Sequence, residues 1–364
     1  MGILMSTLPP DWPGNFWWHL LVLTLLLIGF LMTSVIIFIW MERRVIARFQ
    51  IRLGPNRVGP FGLLQPFADV VKILTKEDII PSRADKIIFW LAPAVAFVPV
   101  LMILAVIPLM GGLALADLNI GVIYIVAVSS VTAIGIFMSG FASNNKYSLI
   151  GAMREVAQLI SYEIPMLLAL ASTVIMAGSL AVSGIVAAQS IPFILVQPLG
   201  FVIFLVATLA EINRTPFDLV EADSELTAGF NTEYSGMKWA VLYLVEYSEA
   251  VIGSVLITTF FLGGWRGPFL PPIIWFTVKV FASFFFILWI RSTMPRLRID
   301  QSMALAWKGL LPLALLNLFI TGVKVVFWPA LSPWIAIPAY VFVTVLLVLL
   351  WSRLLRTRRP ALGS

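Results

Sequence analysis

Nine stretches of this chain are apolar for long enough to cross a lipid bilayer, and that pattern limits the fold to a bundle of helices. A spanning helix needs about 20 consecutive apolar residues, and within hydrocarbon its backbone groups must be satisfied inside the segment. The runs lie at 17–41, 88–110, 120–141, 157–181, 191–212, 239–262, 272–290, 308–328 and 334–352. The expectation is an all-α integral membrane protein, one polytopic domain over residues 1–364. Composition agrees. Charged residues make up 12% of the chain, about half the share of a soluble domain, too few to coat a water-facing surface. The 23 prolines and 24 glycines suit membrane helices, where neighbouring helices re-satisfy freed backbone groups.

Basic residues fix the orientation, because cytoplasmic loops carry an excess of lysine and arginine. With the N-terminus outside, the cytoplasmic segments are the loops 42–87, 142–156, 213–238 and 291–307 and the C-terminal tail. Together with the adjoining Lys308, they hold 21 of the 24 basic residues. The first loop alone holds Arg43, Arg44, Arg48, Arg52, Arg57, Lys72, Lys76, Arg83 and Lys86. Eight spans would strand the arginines of the tail outside, so nine fit better. The net charge of +6 then follows from topology and need not imply nucleic acid. No basic residue precedes the first apolar run, so no cleaved signal peptide is expected.

The chain has no cysteine and one histidine, His19. This excludes a disulfide framework, a thiolate-held iron–sulfur cluster, a bis-histidine haem and a cysteine nucleophile. No Walker A, GxGxxG, HExxH or serine-elbow motif is present. Any electrons would therefore travel on a cofactor held elsewhere, and no metal site or chemically catalytic residue is expected in this chain.

The outer loops are short, whereas three of the cytoplasmic ones are long, of mixed charge, and suited to docking another protein. In the first, Leu63, Phe67, Val70, Val71 and Leu74 form one apolar stripe at helical spacing, with Gln65, Asp69, Lys72 and Lys76 opposite. Pro66 belongs in the first turn. Such a helix either lies in the membrane interface or forms a lid over a site with an apolar mouth.

Several charges fall where they are costly, about 2.5–3.5 kcal/mol each at the bilayer centre on insertion scales, and by default mark a pathway. Glu163 lies in the fourth span, with Glu155 at its inner edge. Glu211 ends the fifth, Glu246 and Glu249 lie in the sixth, and Lys279 lies near the middle of the seventh. Lys324 is placed to snorkel. On the sixth span Trp239, Tyr243, Glu246 and Tyr247 share a face, with Glu249 about 60° away. Two carboxylates one turn apart in a low dielectric cannot both ionise cheaply, and such groups carry protons. Pro165 frees the Ser161 carbonyl beside Glu163 and favours water there. The loop after the fifth span adds Asp218, Glu221, Asp223, Glu225 and Glu233 against one arginine. Static pairing of acids with bases, and a merely solvated loop, are the plainer readings; four glutamates on three helices favour a proton path fed by an acidic funnel.

Four long runs carry a family resemblance: MERRVIARFQIRLGPNRVGPFGLLQPFADVVKILTKED at 41–78, SNNKYSLIGAMREVAQLISYE at 143–163, AEINRTPFDLVEADSELTAGFNTEYSGMKWA at 210–240 and IRSTMPRLRIDQ at 290–301. In this order they resemble the H-type membrane subunit of complex I, the proton-pumping NADH:quinone oxidoreductase, over nearly the whole chain. The resemblance implies a translocase subunit of the respiratory chain, in a bacterial cell (inner) membrane, with no redox cofactor of its own. It implies quinone as substrate, FMN and iron–sulfur clusters in partner subunits, and a quinone chamber shared with the peripheral arm. Further partners would be small and antiporter-like membrane subunits. By matching motif positions it places Arg43, Arg48, Arg52, Phe67, Lys72, Phe230, Arg291, Arg296 and Arg298 at the quinone channel. It places Glu163, Glu211, Glu246 and the acids Asp218, Glu221, Asp223 and Glu225 on the proton path, to which the buried polar stripe adds Tyr243 and the seventh span Lys279. Two features depart from the family: Ser129-Ser130 stands where some relatives carry a glutamate, and Pro165 and Glu249 stand where other residues are expected. The alternatives are the equivalent subunit of a membrane-bound hydrogenase or other donor:quinone reductase, a stand-alone ion transporter, and a structural anchor for a peripheral arm.

Overall fold

In the computed structural model, residues 16–109, 114–218, 229–328, 338, 340–347 and 349 are described. They form a helical bundle with no β-strand among them. The long helices are α1 (Phe16–Phe49), then, past the short α2 (Gln65–Leu74), α3 (Lys86–Val106), α4 (Gly121–Ala142) and α5 (Lys146–Ala177). After the short α6 (Val182–Ala188) come α7 (Pro198–Glu211), α8 (Gly236–Phe261), α9 (Pro272–Thr293) and α10 (Ile299–Phe327), the last with a π-type turn at Leu305–Leu310. Seven of these are long and apolar enough to cross a membrane. Residues 340–347, within the ninth expected span, are helical. The acids Glu221, Asp223 and Glu225 and the tail arginines lie outside the described residues.

Two boundaries differ from the apolar runs in a way that matters for the site. The first helix continues to Phe49, so Glu42, Arg43, Arg44 and Arg48 sit on helix and not in loop. The fourth expected span begins at Lys146, so Arg154 and Glu155 are helical too. Polar residues at the ends of these helices lie beyond the apolar run but still complete the backbone ladder.

The fifth expected span is broken. A single turn, Phe193–Val196, is followed by Gln197 and the 14-residue α7. At 1.5 Å per residue α7 is roughly 21 Å long, short of the roughly 30 Å hydrocarbon thickness. The break is satisfied locally: Gln197 Nε2 donates to the Ser172 carbonyl at 3.1 Å and to Thr321 Oγ1 at 3.2 Å. Asn317 Nδ2 donates to Ser172 Oγ at 2.9 Å. Such polar repair is how non-helical backbone is tolerated at membrane depth.

The core centres on α8, which packs against α1, α3, α7 and α9. From Ala250 to Phe261 every residue of it is buried. Phe38 of α1 stacks on Phe284 of α9 with centroids 3.7 Å apart. Helices α3 and α4 meet closely at Gly135, where a Cβ would lie 2.5 Å from the Ala96 backbone nitrogen. Small residues at such crossings let the backbones approach.

Gly135→Leu should therefore force α3 and α4 apart, with an overpacking cost of about 1–3 kcal/mol or more. A lower thermal midpoint of the purified assembly is expected; an unchanged midpoint would show that the crossing is loose.

Candidate functional site

The site is built where α8 meets α1, α5, α7 and α9. On α8 the expected polar stripe is present: Trp239 stacks on Tyr243 at 4.9 Å and Tyr243 lies 4.8 Å from Tyr247 between ring centroids. Tyr243 donates to the Tyr247 hydroxyl at 3.1 Å, and Tyr247 donates to Glu42 Oε1 at 3.2 Å. The same oxygen accepts a charge-assisted hydrogen bond from Arg291 of α9. Glu42 is only 7% exposed, so this partnership offsets a large desolvation cost. Below it, Arg214 Nη2 pairs with Glu246 Oε1 at 2.9 Å and lies over the Tyr247 ring at 4.6 Å.

At the loop end, α2 packs on α1 and α8. Of its polar residues Asp69 and Gln65 are partly buried, and Asp69 accepts from Arg43 Nη1 of α1 at 2.5 Å and from Gln65 at 3.2 Å, while Lys72 and Lys76 are exposed. The apolar stripe faces out, with Leu63, Phe67, Val70, Val71 and Leu74 all exposed. Gly62, at φ +73°, sets the turn into this helix; a Cβ there would lie 2.2 Å from the Pro55 carbonyl oxygen. The end of the first loop is tied to the start of α8, with Lys238 Nζ 2.6 Å from Asp78 Oδ2 and Ser235 Oγ donating to the Glu77 carbonyl at 2.9 Å. The acidic loop contributes Glu233, which accepts from Asn145 at 2.7 Å.

Two cavities lie deeper. One, with about 30 Å³ of free space, is lined by Glu155, Asn213, Phe230, Glu246 and Glu249 among others. The second, with about 40 Å³ of free space, is lined by Ser130, Glu163, Glu211 and Glu249 within an apolar wall. Asn213 Nδ2 donates to Glu155 Oε1 at 2.7 Å, and Ser130 donates to Glu163. Cavities of this size, with carboxyl and amide groups in their walls, have room for one or two waters.

The structure thus brings together Arg43, Arg291, Tyr243 and Glu246 at one end and Glu163 and Glu211 at the other. Phe67 is 50% exposed on the apolar stripe, and Phe230 lines the smaller cavity. Arg48, Arg52, Lys72, Arg296 and Arg298 are on the exposed surface. Asp218 is described, with its Oδ1 buried and without a hydrogen-bond partner. Lys279 is placed elsewhere: its Nζ donates to the carbonyls of Leu262, Gly264 and Arg266 at 2.7, 3.0 and 2.6 Å. It closes the turn after α8 and lines neither cavity. Lys324 contacts Met176 Sδ at 3.2 Å and the Tyr340 ring. Among the described residues no group of three metal-ligating side chains occurs.

Glu42 went unassigned from sequence, although the signal was present. Leu31, Val35, Phe38 and Glu42 recur at i, i+4, i+7 and i+11, one helix face, and all four are buried. Extending that face past residue 41 would have found it.

A family model described as NADH dehydrogenase matches residues 22–322. The H-type subunit of NADH-quinone oxidoreductase from Dehalococcoides mccartyi (strain CBDB1) is 59% identical over 340 residues, covering 93% of this chain and 96% of that relative. The chain belongs to the family of H-type subunits of NADH-quinone oxidoreductase. The first of the H-type subunits of Geobacter metallireducens is 53% identical over 294 residues, 78% of this chain and 89% of the relative. That of Bacillus thuringiensis (strain Al Hakam) is 49% identical over 322 residues, 86% of this chain and 96% of the relative. The stretch matched by the family model includes every helix that lines the two cavities of this H-type chain.

Arg291→Leu would leave Glu42 buried beside tyrosines only. Removing one partner of a buried pair typically costs about 3–5 kcal/mol, so a clear drop in thermal midpoint is expected, with Arg291→Lys recovering part of it. Equal stability of all three proteins would mean that the pair does not hold α1 to α9.

Proposed function

We propose that this chain is the multi-pass subunit of a respiratory NADH:quinone oxidoreductase that forms the quinone-binding channel and couples quinone reduction to proton movement. The observation that carries this reading is a file of charged and hydroxyl groups. It starts at Arg43–Asp69 beside the first loop, passes Tyr243, Tyr247, Glu42, Arg291 and the Arg214–Glu246 pair, and ends in two cavities holding Glu155, Glu249, Glu211 and Glu163.

Quinone has an apolar tail and a head that takes up two protons on reduction. The exposed stripe of α2 suits the tail, and the Arg43 end of the file suits the charge that develops at the head. In this reading Arg43 and Arg291 stabilise that charge, and Glu246, Glu163 and Glu211 pass protons on. Electrons come from FMN and iron–sulfur clusters of the peripheral arm, which docks on the loops 42–87, 142–156, 213–238 and 291–307 at the cytoplasmic face. Phe67, Lys72, Phe230 and the exposed Arg48, Arg52, Arg296 and Arg298 belong to that docking and entrance region. Asp218, with the neighbouring Glu221, Asp223 and Glu225, leads protons toward the buried glutamates. Lys279 secures the turn after α8 instead of carrying protons. The protein sits as one polytopic domain in the bacterial inner membrane, beside small and antiporter-like subunits.

Glu246→Gln and Glu163→Gln keep side-chain size while removing proton exchange. In the assembled complex in proteoliposomes, each should lower quinone-dependent turnover and coupled pumping by at least about tenfold. NADH oxidation by an artificial acceptor at the flavin end should be unchanged. Wild-type turnover and pumping in both variants would exclude these residues from the mechanism.

A further inference from the structure

The two cavities are stacked along the same helices. On α3 the smaller touches Ala96 and the larger Val100; on α4, Ile136 and Thr132; on α5, Glu155 and Leu159. Each pair is one helical turn apart, as expected for side chains on a shared face. Among the described residues one lines both: Glu249 of α8. Around the seam Ala96, Ile136, Val245, Leu159 and Ile252 are apolar and cannot hold or pass a proton, and the one hydroxyl on that turn of α4, Thr132, lines only the larger cavity.

The charged groups that act on Glu249 come from both sides of that seam. Glu155 and Glu246 line the smaller cavity, with Arg214 paired to Glu246, and Glu211 lines the larger. A carboxyl at the contact of two polar cavities is reachable from each, and its rotation about the side-chain torsions changes which cavity its oxygens face.

We infer that Glu249 is the proton-transfer residue joining the cavity of Glu155 and Glu246 to the cavity of Glu211 and Glu163. The inference rests on the proposed coupling role and assigns it a specific joint. In its acid form Glu249 gives its proton to a carboxylate or water in one cavity. As carboxylate it then takes one from the other side, so the residue returns to its starting form and one proton has crossed the apolar seam. Among the described residues no other side chain lines both cavities, so the two halves of the proton path communicate through this one.

The test uses the whole assembled complex in proteoliposomes, comparing Glu249→Gln, Glu249→Asp and Glu163→Gln by quinone-dependent turnover, proton pumping and redox-induced infrared difference spectra. Glu249→Gln is expected to lose at least about tenfold in pumping-linked turnover, with flavin-end NADH oxidation intact. Glu249→Asp, which keeps an exchangeable proton, should retain most of it. Wild-type pumping in Glu249→Gln beside a defective Glu163→Gln overturns the inference and leaves the coupling role standing. Wild-type pumping in both overturns the two together. Equal losses in Gln and Asp variants with an unchanged carboxyl band mark a structural role, and also overturn it. Should Glu249→Gln not assemble, the wild-type and Glu249→Asp spectra decide: a carboxylic band that shifts between them on quinone reduction supports the joint, and identical spectra refute it.

Discussion

A carboxylate inside an apolar helix bundle persists only where a cation, a hydroxyl or water meets it, since each uncompensated charge at that depth costs several kcal/mol. The interior of this protein is arranged around that constraint. Glu42 receives Arg291 and Tyr247, Glu246 receives Arg214, Glu155 receives Asn213, and Glu163 receives Ser130. The pairings are graded along the file. Toward the first loop Asp69, Glu42 and Glu246 meet arginines; farther in, Glu163 meets a hydroxyl beside the larger cavity.

Irregular backbone serves the same end. The helix breaks at Gln197 at one end of α7, and at its other end the final residue, Glu211, lines the larger cavity. Gln197, Ser172, Asn317 and Thr321 absorb the polar groups exposed by the break. At the other end, the glycine turn at Gly62 aims α2 so that Asp69 meets Arg43 while the apolar stripe stays outside. Position and chemistry are thus set by the same few departures from regular helix.

Long apolar runs made the fold class legible in the sequence, and helical periodicity placed Tyr243, Glu246 and Tyr247 on one face as found. The limits of the runs were less informative. Hydropathy marks what touches lipid, whereas α1 and α5 continue past it as polar helix, and this hid Glu42 and put Glu155 at an edge. Depth alone also could not say which way a side chain turns. Lys279 is deep in its span by count, yet its ammonium reaches the carbonyls after α8. Arg296 and Arg298 share a motif with Arg291, but only Arg291 is on the helix that reaches Glu42. Contacts between residues more than 200 positions apart, as Glu42 makes with Tyr247 and Arg291, leave no local trace in a single sequence.

The most direct measurement is a cryo-electron microscopy map of the intact complex in lipid with quinone bound, at a resolution that shows ordered water. The account predicts water in both cavities, the Glu249 side chain between them, and an unbroken polar line from Arg43 to Glu163. Dry cavities filled by acyl chains or apolar side chains, with every buried glutamate locked to a cation and no link across the seam, would contradict it.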